Sequence, residues 1–270
     1  MKSRLLYAAL GALALTTPVT AQTNPTVYGS VVFGHEWEDI KAPPYGLYSM
    51  PADNGNAIKL EVRNDAIKAN GGGVYVDGMY HLVDFTRYEF EQVVTFRTFD
   101  TKNNWKLINE QTIKSYSSAA SDLTYDPVDD KIYGCFKETA TSTQYFLGTL
   151  NPITGFASKI ADIDEELIVL ASTRDGMLYG VGAYGMLYSV DKQTGKLTKI
   201  GQTGKSVKYS QSATFDYASG RMLWAMTPHY TNESPELCEI DLSTGKTTTL
   251  ATIPERYEFT GIYTLSPYAA

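Results

Sequence analysis

Residues 121–163 read SDLTYDPVDDKIYGCFKETATSTQYFLGTLNPITGFASKIADI, and this stretch decides the fold. It divides into four short runs rich in Tyr, Phe, Ile, Val and Thr, the residue types that fill a pleated, half-buried surface. Asp122-Leu123-Thr124-Tyr125 is the first run, strand a. Asp126-Pro127-Val128-Asp129-Asp130 then turns the chain, because Pro presets its φ angle and Asp bonds nearby backbone. Residues 131–136 make strand b and residues 145–150 strand c. Asn151-Pro152-Ile153-Thr154-Gly155 is a second turn, leading into strand d at residues 156–161. The unit is a four-stranded antiparallel meander.

The same unit recurs along the chain. Val27-Tyr28-Gly29, Met79-Tyr80-His81, Ile132-Tyr133-Gly134, Leu178-Tyr179-Gly180 and Leu223-Trp224-Ala225 all read as strand b, and turns follow in step at 51–55, 100–104, 151–155, 191–195 and 241–245. A period of about fifty residues belongs to a propeller, a solenoid or an array. No long 3.6-residue apolar period follows the first residues, which removes helical solenoids. Leucine-rich and β-helix repeats have about half this period or less. Radial four-stranded blades remain, so the expected fold is all-β, a β-propeller. The two ends are out of phase. The chain enters the repeat at Thr26-Val27-Tyr28-Gly29, a strand b, and finishes at residues 259–265, a strand a. If the C-terminal strand joins the N-terminal blade, two exposed edges pair and five whole blades result. The alternative is an open fragment whose residues 259–265 begin a sixth blade.

Leu178-Tyr179-Gly180 with Asp191-Lys192-Gln193-Thr194-Gly195, and Asp241-Leu242-Ser243-Thr244-Gly245, carry a resemblance. On them, residues 26–265 resemble bacterial secreted β-propellers whose blades have a Leu-Tyr-Gly strand and an Asp-x-x-Thr-Gly turn. The resemblance implies a fold and a compartment. There is no Gly-His and Trp-Asp pair per blade, as WD40 repeats have, and Gly71-Gly72-Gly73 occurs once, unlike a kelch array.

Residues 1–21 have the layout of a signal peptide: basic Lys2 and Arg4, an apolar run over residues 5–15, and small-residue spacing at Val19-Thr20-Ala21. That run is far shorter than the roughly 20 residues a membrane helix needs. Cleavage near Ala21 and a secreted or periplasmic location are expected, with one propeller domain over residues 22–265. Residues 266–270 read as a tail or the start of a linker. The net charge of −7 becomes more negative once Lys2 and Arg4 are removed. An acidic chain argues against a nucleic-acid partner, which needs a basic footprint, and no later segment is suited to membrane insertion. A monomer is expected. Cys135 and Cys238 fall in the third and fifth units, too far apart to bridge, so both are expected as buried free thiols.

In such meanders the a–b and c–d turns share one face and the b–c and d–a connections the other. The c–d turns are constant in length. The b–c connections run from Tyr28 to Tyr48 in the first unit, but only from Tyr179 to Tyr188 in the fourth. Insertions collected on one face of a repeat protein mark a binding face; drift in loop length is the plain alternative. The b–c loops carry His35-Glu36-Trp37-Glu38-Asp39, Arg87-Tyr88-Glu89, Lys137-Glu138, Tyr184 and His229-Tyr230. The d–a connections add Tyr209 and Arg256-Tyr257-Glu258. Ring closure would gather His35, Trp37, Tyr209, His229, Tyr230, Arg256 and Tyr257 as a ligand-binding cluster. Flat aromatic faces beside polar groups suit a glycan or a protein ligand; packing of these rings on one another to order the loops is the other reading.

Catalytic signals are sparse. There is no Gly-x-Ser-x-Gly elbow, and three His, with no HExxH and no paired Cys, make a poor metal set. No metal and no cofactor is expected. A non-catalytic binding propeller is therefore the leading reading. The alternatives are a glycoside hydrolase or lyase drawing on Glu36, Asp39, Glu233 or Glu258, and a structural spacer in a larger secreted protein.

Overall fold

The computed structural model describes residues 24–32, 43–88, 91–139, 141–207, 210–229 and 233–265, with the side chains of residues 86–92 and 116 outside the description. Strands β1 (Thr26–Val31), β2 (Gly46–Pro51) and β3 (Lys59–Arg63) open the chain. Four complete blades follow. The second is β4 (Gly73–Val76), β5 (Met79–Tyr88), β6 (Glu91–Asp100) and β7 (Lys106–Ile113); the third is β8 (Ala120–Asp126), β9 (Lys131–Lys137), β10 (Tyr145–Leu150) and β11 (Ala157–Ile163). The fourth is β12 (Leu167–Ser172), β13 (Leu178–Gly182), β14 (Met186–Val190) and β15 (Leu197–Gln202); the fifth is β16 (Ser212–Asp216), β17 (Arg221–Met226), β18 (Glu236–Ile240) and β19 (Thr247–Thr252). The last strand, β20 (Phe259–Thr264), pairs antiparallel with β1, placing Tyr28 opposite Tyr263 and Val31 opposite Phe259. It supplies strand a of the first blade. The protein is a β-propeller of five four-stranded blades.

The turns are built from local chemistry. In blades three, four and five the c–d turn opens on Asn151, Asp191 or Asp241, whose Oδ1 accepts the amide of the residue two further on at 2.8–2.9 Å. Each turn closes on a glycine of positive φ, Gly155, Gly195 or Gly245, where a side chain would be strained. Blade two turns between its first strands through Asp77-Gly78, both of positive φ, the pairing a tight hairpin requires.

Burial falls from axis to rim. Every residue of the inner strands β12 and β20 is buried, whereas the outer strands β3 and β7 are mostly exposed and β15 is half exposed. Apolar residues pack between blades, in five clusters. Tyr263 and Phe99 mark the seam of blades one and two, Phe96 and Phe136 that of two and three, and Tyr133 and Leu170 that of three and four. Val169 and Trp224 join blades four and five, and Leu223 and Tyr48 join five and one. An open row of five blades has four seams; the fifth closes the ring.

The hub is polar and closed. Asp122, on β8, is fully buried. Its Oδ2 accepts Leu170 N of blade four at 3.1 Å and Ala213 N of blade five at 3.0 Å. Its Oδ1 accepts Ser212 Oγ at 3.0 Å, and that oxygen accepts Ile262 N of blade one at 3.1 Å. Thr260 Oγ1 donates to Gly71 O at the entry to blade two, at 2.7 Å. One carboxylate and two hydroxyls thus tie the inner strands together. Burial pushes the Asp122 carboxyl up to about 8, against the pull of its backbone and hydroxyl donors.

Cys135 and Cys238 are both buried and free, as expected. One loop reading is corrected. Arg87 and Tyr88 lie in strand β5, not in a b–c loop, because β5 and β6 form a hairpin of ten-residue strands. The long Tyr80–Arg97 spacing measures strand, not inserted loop.

Candidate functional site

The b–c and d–a face is hollowed at the axis into a funnel of about 410 Å3. Four d–a connections and the starts of the inner strands that follow them reach it. Asn70 enters from blade two, Ser121 from blade three, Glu166 and Ile168 from blade four, and Ser210 from blade five. Lys137, at the end of β9, and Tyr145, at the start of β10, add one wall. Next to Ser121 in the chain, Asp122 ties blades three, four and five together.

Glu166 is its carboxylate. The sequence Asp164-Glu165-Glu166 sets three acids in a row just before β12, and the structure separates them. Asp164 is exposed; Glu165 accepts the Tyr188 hydroxyl and lies against Gly182, where a Cβ would collide with it; Glu166 lines the funnel. Ser121 Oγ donates to Glu166 Oε1 at 3.2 Å, and Tyr145 supplies a second hydrogen bond. Burial raises the Glu166 carboxyl above the usual range, while the Tyr145 and Ser121 bonds and the charge of Lys137 pull it down. Lys137 Nζ sits 5.3 Å from the centre of the Tyr145 ring. A cation, a ring and an acid therefore stand side by side. The backbone around them is fixed: Ala183 N donates to Glu166 O at 3.1 Å, and Ser210 Oγ to Asn70 O at 3.0 Å.

The funnel continues along the seam of blades four and five into a second hollow of about 580 Å3, sharing Ile168 with it. Tyr184, 85% exposed at the b–c turn of blade four, stands there with Gln202, Lys205 and His229. His229 is exposed, and its amide donates to Ser206 O at 3.2 Å.

The residues expected to form the aromatic cluster divide. His229 is in this seam. Arg256 is exposed on the connection into β20. Tyr257, half-buried, packs in the seam of blades five and one, edge-on to Tyr48 at 5.5 Å and stacked on Phe259 at 6.2 Å. His35, Trp37, Tyr209 and Tyr230 lie outside the described residues. The sequence reading placed Lys137 and Tyr184 on this face and did not single out Glu166 or Tyr145. The available signal for Glu166 was the run of three acids, whose mutual repulsion is relieved only if they face different surroundings.

Among the described residues no group of three or more His, Cys, Asp and Glu is placed to hold a metal ion, and no helix is long and apolar enough to cross a membrane.

No family model and no curated protein matches the chain. Solved structures match by fold. A protein of unknown function from Bacteroides caccae aligns at 8% identity with a TM-score of 0.51, over 88% of this chain and 98% of that one. The catalytic domain of an α-L-arabinofuranosidase from Coprinopsis cinerea aligns at 10% identity with a TM-score of 0.46, over 87% and 77%. A gluconolactonase from Xanthomonas campestris aligns at 12% identity with a TM-score of 0.43, over 88% and 79%. At these identities the likeness is one of fold and carries no activity to this chain.

Proposed function

We propose that the chain is a non-catalytic binding propeller that holds a glycan in the axial funnel and the adjoining seam. The observation behind this reading is the funnel's chemistry: an acid, a cation, two hydroxyls and a carboxamide around the Tyr145 ring. Flat apolar surface stacks on sugar C–H faces, and polar groups set at fixed angles select hydroxyls. Tyr184 and His229 extend the same pattern outward for a longer ligand. The signal-peptide layout of residues 1–21 supports an extracellular setting, where free and polymeric saccharides are met.

The raised carboxyl of Glu166 favours one other reading, since a hydrolase needs such a proton donor. Glycoside hydrolysis uses two carboxylates about 5–10 Å apart. Among the described residues the funnel lining holds one. The binding reading is therefore preferred.

A saccharide array probed with the chain from residue 22 onward tests it. The expected result is binding to a defined saccharide set, weakened at least about tenfold by Tyr145→Ala in a protein that keeps its far-ultraviolet spectrum. Binding that Tyr145→Ala leaves intact would place the ligand elsewhere, and turnover of a bound saccharide would replace the binding reading with the hydrolase.

A further inference from the structure

A cavity larger than the funnel is on the other face. It is a groove of about 850 Å3 between blades two and three, reached from the a–b and c–d turns. Val76, Met79, Ile132 and Leu150 contribute aliphatic wall. Asp77, Asp130 and Lys131 also border it, and Asp130 accepts the Tyr125 hydroxyl at 2.8 Å.

Three observations mark this groove as built. The first is His81. Its ring lines the groove and is 5% exposed. Nδ1 lies 2.9 Å from Thr98 Oγ1, and the ring stacks on Phe96 at 5.8 Å. Among the described residues the other ring nitrogen, Nε2, makes no hydrogen bond and is not sealed from solvent, so it is open to a partner in the groove. Burial also brings the His81 imidazole down to about 4, so it is uncharged near neutral pH.

The second observation is the groove's lips. Ile153 is 74% exposed and Ile108 50% exposed. Ile153 stands in the c–d turn of blade three, where blades four and five have Gln193 and Ser243 in turns of the same hydrogen bonding. The turn is thus satisfied by a polar residue in blades four and five, and carries an exposed isoleucine beside this groove in blade three. The third is a brace across the seam: Asn109 Nδ2 donates to Ile153 O at 2.6 Å, which joins blade two to blade three at the lips.

We propose that this groove is a second ligand site, for an uncharged small molecule whose aliphatic body lies between Ile108 and Ile153 and whose hydroxyl group meets Nε2 of His81. A hydroxyl both donates and accepts, so it fits either neutral tautomer. A charged head group meets no opposite charge on a neutral imidazole and loses its hydration. The groove's volume is in the range of about 300–1,000 Å3 usual for such ligands. The site is on the face opposite the funnel and does not depend on the glycan reading.

The test uses the chain from residue 22 onward, 15N-labelled at histidine, of which there are three in the sequence. 1-Octanol is the probe and octanoate its charged counterpart. The expected result is a saturable shift of the His81 ring signals with octanol, and binding at least about tenfold weaker for octanoate. His81→Phe keeps the ring on Phe96 and removes the hydrogen bond, and is expected to weaken octanol about tenfold, the equivalent of one hydrogen bond. Ile153→Ser, at an exposed position, is expected to weaken it several-fold with the thermal midpoint unchanged, and carries the test if His81→Phe does not fold. Absence of a His81 shift up to the solubility limit of octanol overturns the proposal. So does octanol affinity unchanged in a folded variant.

Discussion

Asp122 and Glu166 are both carboxylic acids that burial drives upward, and both sit near the propeller axis, yet they do opposite work. Asp122 spends its oxygens on Leu170 N, Ala213 N and Ser212 Oγ, from blades four and five. It is fully buried, lines neither the funnel nor its adjoining hollow, and acts as a clamp on the ring. Glu166 accepts one hydroxyl from Ser121 and one from Tyr145, and the rest of its carboxyl borders the funnel. A raised pKa is common to both, so it does not by itself identify a site. What separates them is the surroundings: donors from other blades on every side of one, open space beside the other.

The largest expected effect comes from breaking the clamp. Asp122→Ala leaves two buried amides and the Ser212 hydroxyl without their acceptor, at about 1–3 kcal/mol each. A loss of roughly 3 kcal/mol or more in urea unfolding is expected, or failure to fold. A stability like the unmutated chain's would mean that the hub is held by its apolar neighbours alone.

A smaller effect sharpens the contrast through pH. The folded Asp122 carboxyl titrates at about 8 and an unfolded one near 4. A raised folded value means that the unfolded chain releases its proton first. Asp122 therefore contributes its full stability below about pH 4 and loses it progressively up to about pH 8. Unfolding free energy is expected to fall across that window by a few kcal/mol on this account. Asp122→Asn, which cannot ionise, is expected to flatten this part of the profile; an unchanged slope in that variant would assign the pH dependence to other groups.

Much of the fold was readable before the structure because it rests on local chemistry. The Asp-x-x-Thr-Gly turns declare themselves through a capping side chain and a glycine of positive φ, as at Asp191 and Gly195. The mismatch between Thr26-Val27-Tyr28-Gly29 and residues 259–265 foretold the pairing of β1 with β20. The β5–β6 hairpin misled for a local reason too. Between Tyr80 and Arg97 no Gly, Pro or Asn marks a turn, so strand length was mistaken for loop. The site was less legible. Asn70, Ser121, Glu166 and Ser210 are far apart in the chain and meet only where d–a connections and the inner-strand starts converge. Loop length drew attention to the b–c connections and not to the axis, where the d–a connections, from three residues before β12 to nine before β4 and β16, were left uncompared.

The account turns on Glu166 being a ligand-facing acid and not a second clamp. Glu166→Gln, assayed at once for urea unfolding and for affinity toward a saccharide that the unmutated chain binds, tests this most directly. The account predicts a change in stability within about 1 kcal/mol, as expected when surrounding groups keep water or a neutral partner, together with an affinity loss of about tenfold or more. Unchanged affinity, or a stability loss as large as that of Asp122→Ala, would contradict it.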